Sequence, residues 1–233
     1  MDIARQYLAR DPVYYVNMLT HLEAPTTRIL YAAADGLLLE SDWLCCVSAA
    51  GDEAVQRILP LLSTPDLLVF EPILYAPVEA LAYRRGMLCY PCRYTKEEPI
   101  PIKLPPGIAI EPLGHEYDDF VASHYTHAEG NAEYLRSRID DGMFGLFERG
   151  AVAGFIGIHG GGEMGLLEIL PAYRRKGYAA LLEAWMINHR LSLGRIPHGE
   201  VETWNAASLA LQKRLGMTVS EKTCAWYERA DPR

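Results

Sequence analysis

With 233 residues, half of them hydrophobic and 22% charged, the chain can bury one large core or two small ones and has an ordinary globular composition. Its formal net charge of −8 disfavours nonspecific nucleic-acid binding, which runs on Lys and Arg, and is compatible with a cationic acceptor such as an amine. No apolar run approaches the roughly 18 residues of a bilayer span, and MDIARQYLARDP lacks the basic-then-apolar layout of a secretion signal, so no membrane partner and a cytoplasmic location are expected.

Taken in chain order, residues 2–23 have helical spacing interrupted by Pro12, which predicts two helices. Asp35-Gly36, flanked by residues 27–33 and 37–40, is a hairpin signal. Residues 43–49 read as a third strand, 52–62 as a helix, 67–71 as a strand, 77–85 as a helix and 87–94 as a strand. The stretch TKEEPIPIKLPPG carries four prolines and a run of charge that neither a helix nor a central strand continues through. It reads as a linker, which gives an N-terminal half over 1–95, a linker over 96–107 and a second half over 108–233.

In the second half, 108–112 is expected to be a strand, and 116–125 and 131–141 helices. Residues 143–148 and 152–159 read as strands around Arg149-Gly150, and 165–170 as a further strand. A long helix over 177–193, a strand over 200–204, a helix over 206–215 and a closing strand over 218–228 complete the chain. Strands interleaved with helices in both halves predict an α/β (α+β) layer architecture.

The five cysteines are an odd number and do not form a complete disulfide framework. Cys89 and Cys92 have CxxC spacing, but no second pair matches it and Cys45-Cys46 lie in an apolar run. Buried reduced thiols are expected there, and no metal site.

The chemistry concentrates in Pro171-Ala172-Tyr173-Arg174-Arg175-Lys176-Gly177-Tyr178-Ala179, between an apolar strand and an amphipathic helix. Three consecutive cations precede a helix start with a glycine and small Ala179 and Ala180. A helix N-terminus has unpaired N–H groups and a partial positive charge, and glycine lets a ligand approach the backbone. Together these suit a pyrophosphate, although a solvated basic helix start reads the same way on the cations alone.

The pattern Arg174-x-x-Gly177-x-Ala179 resembles the R/Q-x-x-G-x-G/A signature of the GNAT superfamily of N-acetyltransferases. Asn205-Ala206-Ala207-Ser208, opening a helix that closes in Arg214-Leu215-Gly216-Met217, resembles that family's second landmark at the proper interval. The resemblance covers roughly residues 107–229. It implies a mixed, mainly antiparallel sheet with helices on both faces and, with the paired halves, two tandem GNAT-like units. A first half without the signature resembles the glycine N-acyltransferase-like branch, in which a degenerate half precedes a catalytic one. Its nearest cation cluster, Arg84-Arg85, reads as a helix end, unfavourable to phosphate.

The resemblance also implies roles. Acetyl-CoA or another short acyl-CoA is the co-substrate, without a metal, and a small-molecule amine or amino acid is the acceptor. Glu168, Ile169 and Leu170 pair with the pantetheine arm. Main-chain groups from Arg175 through Lys176, Gly177, Tyr178 and Ala179 to Ala180 hold the phosphates, with charge from Arg174 and Arg175. Asn205 and Ser208 contact the pantetheine region, a role compatible with helix capping for Asn205. Glu168 and Glu202 are the candidate bases, with His159 as a further one. The family's usual acid, a Tyr seven residues after the Asn, is Gln212 here, and Tyr227 or water takes its place. The polar stretch SHYTHAEGN, Ser123 to Asn131, and His115 suit an acceptor pocket or a solvated loop equally. Acyl transfer to proteins and a silent acyl-CoA-binding regulator are the competing functions.

Overall fold

Three runs in the first third, GLLLE, LCCVSA and DLLV, are apolar at nearly every position, which a strand needs only when both its faces are covered. In the computed structural model, which describes residues 2–41, 43–125 and 132–229, these are β2 (Gly36–Glu40), β3 (Leu44–Ala49) and β4 (Asp66–Val69). Alternate residues serve opposite faces. Leu37, Leu39, Cys46, Leu68 and Phe70 join a core with Tyr7, Tyr14 and Met18 from the helical segment α1 (Asp2–Leu8) to α2 (Val16–Glu23). Leu38, Cys45, Val47, Leu67 and Val69 join another with Ala54 and Ile58 of α3 (Asp52–Ile58) and Val78 of α4 (Tyr75–Ala80).

The hairpin partner of β2 is β1 (Arg28–Ala33), turned at Asp35 as expected. The sheet runs β1-β2-β3-β4-β12-β5-β10, with β5 at Tyr83–Arg93, β10 at His198–Glu202 and β12 at Cys224–Arg229. A two-residue β11 (Thr218–Val219) also pairs with β5. The β3–β4 pair is parallel, and β12 is antiparallel to both β4 and β5.

A second sheet, wholly antiparallel, has the order β6-β7-β8-β9: Ile108–Pro112, Phe144–Glu148, Ala151–Ile158 and Met164–Ile169. One of its faces packs Phe147, Phe155 and Leu166 against Val121 of α5 (Asp118–His124) and Leu135 and Ile139 of α6 (Ala132–Asp140). On β7, Phe144 meets Trp185 of α7 (Tyr178–Ser192) at 4.3 Å between ring centres. The last helix, α8, spans Ala206–Arg214.

The described residues form two compact units that do not follow the linear order of the chain. One unit takes the chain up to Arg93, Glu200–Gln212 and the described residues from Thr218 onward; the other takes Tyr94–Gly199 and Lys213–Met217. The proline-rich stretch thus lies in the second unit next to the first crossing, while most of 200–229, read from sequence with the second half, packs with the first. The physical reason is β12. Ala225 pairs with Val69 on one side and Leu88 on the other, and Cys224 and Ala225 are fully buried. Alternation announces a strand but not which sheet will receive it.

Two local expectations change for the same reason. The helix expected to reach Arg85 ends at Ala80, because Ala82 turns left-handed (φ +63°) and Tyr83, Arg84 and Arg85 pair with β12. Arg84 and Arg85 are therefore strand residues. The single strand expected over 218–228 divides into β11 and β12. All five cysteines are buried free thiols. Among the described residues no helix is long and apolar enough to cross a membrane, and no cluster of His, Cys, Asp or Glu could hold a metal.

Gly154 lets β8 and β9 approach. A Cβ on it would stand 2.5 Å from the Glu168 carbonyl oxygen and 3.2 Å from the Ile169 Cα, both backbone. Gly154→Ala is expected to cost about 1–3 kcal/mol through backbone displacement, read as a lower midpoint in urea unfolding.

Candidate functional site

The second unit carries the junction singled out by sequence. Strand β9 ends at Ile169, Pro171–Tyr173 makes one 3-10 turn, and α7 begins at Tyr178. Between them Arg175 (φ +67°) and Gly177 (φ +83°) are left-handed while Lys176 is not. Such alternation of hand turns successive N–H groups toward one concave side. Gly177 is the N-cap of α7, and no side chain caps that end, so its first-turn N–H groups have no side-chain acceptor. A Cβ at Gly177 would meet nothing within 4 Å. The glycine is required by its backbone angle, and the space above it is open.

A cleft of about 380 Å³ lies against this turn, lined by Ile169, Tyr173, Arg174 and Arg175, by Gly177 to Ala180, and by Arg214. No acid lines it. Arg214, from the last turn of α8, is a residue the sequence reading did not include. Its signal was the family's second landmark, used there only as a marker of position.

The three cations of the motif separate in space. Arg174 folds back: its Nε donates to the Ile169 carbonyl at 2.9 Å and its terminal nitrogen to Glu168 Oε1 at 3.2 Å. Lys176 pairs with Glu148 of β7 at 2.7 Å and lies over the Tyr173 ring at 5.1 Å. The hydrogen bond of that pair raises Lys176 above the ordinary lysine value and holds Glu148 below the ordinary carboxylate value. Burial, then Glu148, pushes the neighbouring Tyr178 hydroxyl up. Arg175 has no acidic partner among the described residues and is exposed in the cleft. Of the three consecutive cations, two form ion pairs, Arg174 among them although it was expected to lend charge to the phosphates.

Of Glu168, Ile169 and Leu170, the residues expected to pair with a ligand arm, Ile169 alone turns its main chain to the open edge of β9. The Leu170 N–H donates to Ala153 at 3.0 Å, and Ile169 lies opposite Gly154. Hydrogen-bonded and non-bonded pairs alternate in an antiparallel ladder, so Ile169 turns its N–H and C=O to the edge of β9 left unpaired within its sheet. Glu168 is a buried side chain, 8% exposed. Between Glu168 and Gly165 the strand bulges: Phe155 faces Glu168 and Gly157 faces Gly165, leaving Leu166 and Leu167 against Ile156. Leu166 is left-handed there (φ +51°), a strained angle for a bulky residue.

Asn205, Ser208, Glu202 and Tyr227 belong to the first unit, whereas His159 lies in the second. Asn205 caps α8, its Oδ1 accepting the Ser208 N–H at 3.0 Å. Glu202 ends β10, half-buried, and with burial and Glu200 it contributes to pushing the Cys89 thiol up. Tyr227 is a core residue, 1% exposed, whose hydroxyl donates to Glu79 at 3.2 Å. Burial raises that phenol further from the range of a working acid. Gln212 is buried as well.

The first unit has its own strand, 3-10 turn and helix succession at β4, Pro72–Leu74 and α4. There the Glu71 carboxylate accepts from Tyr15 at 2.6 Å, Ser48 at 2.9 Å and the Ala49 N–H at 3.0 Å. Burial nonetheless holds its pKa up. An acid thus stands at this junction, bonded to Tyr15 and to β3 rather than to the start of α4.

Of the polar stretch at 123–131, residues 126–131 lie outside the described residues. His115 does not stand in a pocket: exposed, it bridges Asp118 at 3.0 Å and Asp140 at 2.9 Å, joining the start of α5 to the end of α6.

The FR47-like protein family model matches residues 143–227. No curated protein matches the sequence. Among solved structures, a Drosophila melanogaster protein is similar at 16% identity and TM-score 0.72, covering 98% of this chain and 95% of that one. A GCN5-related N-acetyltransferase from Kribbella flavida matches at 13% identity and TM-score 0.57, over 99% and 96% of the two chains. An acetyltransferase of the GNAT family from Colwellia psychrerythraea matches at 13% and 0.56, over 97% of each. These likenesses show a GNAT-like mixed α/β fold over the whole chain.

Gly177→Ala is expected to cost about 1–2 kcal/mol from its left-handed angle, measured by urea unfolding. The two hydrogen bonds of His115, to Asp118 first and Asp140 second, raise its pKa. Protonated His115 therefore stabilises the α5–α6 link below the ordinary histidine value of about 6.5, and the link is lost as pH rises through the raised value. Hydrogen exchange in α6 should quicken across that window beyond its intrinsic pH dependence, and His115→Gln should abolish the extra step.

Proposed function

We propose that this chain is an N-acyltransferase that moves an acetyl or other short acyl group from acyl-CoA to the amine of a small molecule or amino acid. One observation carries the reading: an acid-free, arginine-lined cleft at an uncapped helix N-terminus, preceded by backbone of alternating hand. That combination fits a pyrophosphate better than any neutral ligand. Main-chain N–H groups from Arg175 to Ala180 hold the phosphates, and Arg175 and Arg214 supply charge. The outward N–H of Ile169 receives a carbonyl of the pantetheine arm, as an added strand would be received at a sheet edge.

In this reading Arg174 and Glu168 act together. Arg174 fastens the end of β9 through the Ile169 carbonyl, and Glu168 fixes the guanidinium that does so. The thioester arrives already activated, so the protein orients it, admits the amine and removes a proton. Two α/β units, one carrying this cleft and the other an acid, Glu71, at its own strand-to-helix junction, support the glycine N-acyltransferase-like branch.

Calorimetry with coenzyme A tests the assignment. Arg175→Ala and Arg214→Ala should each weaken binding by about 1–2 kcal/mol, roughly 5- to 30-fold, while the exposed Arg57→Ala leaves it unchanged. Equal affinity in all four proteins sinks the pyrophosphate site. Thiol release from acetyl-CoA across a panel of amines and amino acids then separates an enzyme from a binding protein.

A further inference from the structure

The turn before β9 builds a second polar centre, at the end of the strand opposite the cleft. His159 follows β8 directly, and its main chain closes the turn: its N–H donates to the Glu163 carbonyl and its own carbonyl accepts from Gly162. Its Nδ1 stands 2.6 Å from the Tyr134 hydroxyl of α6, with the two rings stacked at 22°. The Gly160 main chain also bonds the Tyr134 hydroxyl. The far side of the imidazole covers Gly165, where a Cβ would lie 2.5 Å from Nε2. The missing side chain at Gly165 is thus the seat of the ring, and Tyr134 sets its rotation.

This seat adjoins the β9 bulge. Gly165 precedes the left-handed Leu166, and Gly165 and Glu168 flank the two residues that leave the ladder. From Ile169 to Gly165 is four residues, roughly 13 Å of strand, so a ligand arm laid along β9 from the cleft runs toward the imidazole. The groups around the ring are Tyr134 and Arg138 from α6 and Glu163 from the turn. Arg190 from α7 reaches the Gly162 carbonyl at 3.4 Å and faces Glu163. Burial lowers the His159 pKa, Arg138 acts in the same direction and Glu163 opposes them, so the ring is neutral near pH 7. The Tyr134–Nδ1 hydrogen bond accommodates the tautomer with N–H on Nδ1, which leaves the lone pair on Nε2. The other acid near the bulge, Glu168, is held by Arg174.

Resting on the acyl-transfer reading above, we propose that His159 is the catalytic base that takes the proton from the acceptor amine, and that Tyr134 is its positioning residue. Nε2 takes one proton of the ammonium. The amine lone pair forms the C–N bond to the acyl carbon, the C–S bond breaks, and sulfur keeps that electron pair. The second proton lost from nitrogen goes to sulfur, giving the thiol, and the imidazolium returns its proton to water.

The test uses the full chain with an amine that the parent acylates. His159→Asn keeps an N–H toward Tyr134 but carries no base. It should lower kcat by about 10²- to 10⁴-fold, leave coenzyme A affinity unchanged, and erase the acidic limb of the kcat/KM profile. Imidazole added to His159→Gly should restore part of the rate. Tyr134→Phe should lower kcat less and shift the acidic limb, a readout that a packing role alone would not move. A His159→Asn enzyme with parental rate and an intact acidic limb overturns the assignment and leaves acyl transfer standing. A parent that binds coenzyme A yet acylates no amine overturns both.

Discussion

The end of β9 and the start of α7 are separated by eight residues, and within them the backbone must stop pairing, reverse and enter a helix. That constraint produces the left-handed angles at Arg175 and Gly177 and leaves the first N–H groups of α7 uncapped. An L-residue in the left-handed region costs about 1–2 kcal/mol, so Arg175 is held there by its surroundings. Arg174 supplies part of that hold by fastening itself to the Ile169 carbonyl and to Glu168. The other strained residue of this strand, Leu166, sits at the bulge. Left-handed L-residues thus stand both inside β9 and in the turn that follows it, a distribution found where backbone geometry serves binding.

Electrostatics sorts the same residues by what they can reach. Lys176 is neutralised by Glu148 and Arg174 by Glu168, so the positive field of the cleft comes from Arg175, Arg214 and the helix N-terminus. The first unit shows the converse arrangement at its own strand-to-helix junction. There a buried acid, Glu71, sits among Tyr15, Ser48 and the Ala49 N–H. Similar local topology thus carries cations in one unit and an acid in the other.

Much of the architecture was legible in the residues. Pro12, Asp35-Gly36 and the proline-rich stretch placed breaks that the structure respects, and continuous apolar runs marked strands covered on both faces. The candidate site was legible as a position only from the glycine, small residues and cations between a strand and a helix taken together with the landmark at Asn205, since the cations alone read equally as a solvated helix start. Its internal wiring was not. Whether a cation faces a ligand or a carboxylate, six residues away for Arg174 and 28 for Lys176, depends on side-chain directions that spacing does not encode, and Arg214 enters only because it lines the same cleft as the start of α7.

By itself the sequence determined local conformation: where the chain turns, which segments alternate, and that residues 171–180 form a helix start able to meet an anion. These follow from steric limits on φ and from hydrogen bonding within a few residues. Only tertiary structure decided that β12 enters between β4 and β5, that Tyr227 is core, and that Lys176 turns to Glu148. It also decided that His159 rests on Gly165 against Tyr134. Each of those joins residues far apart in the chain through burial and charge pairing, and such terms take their value only when the partners are brought together.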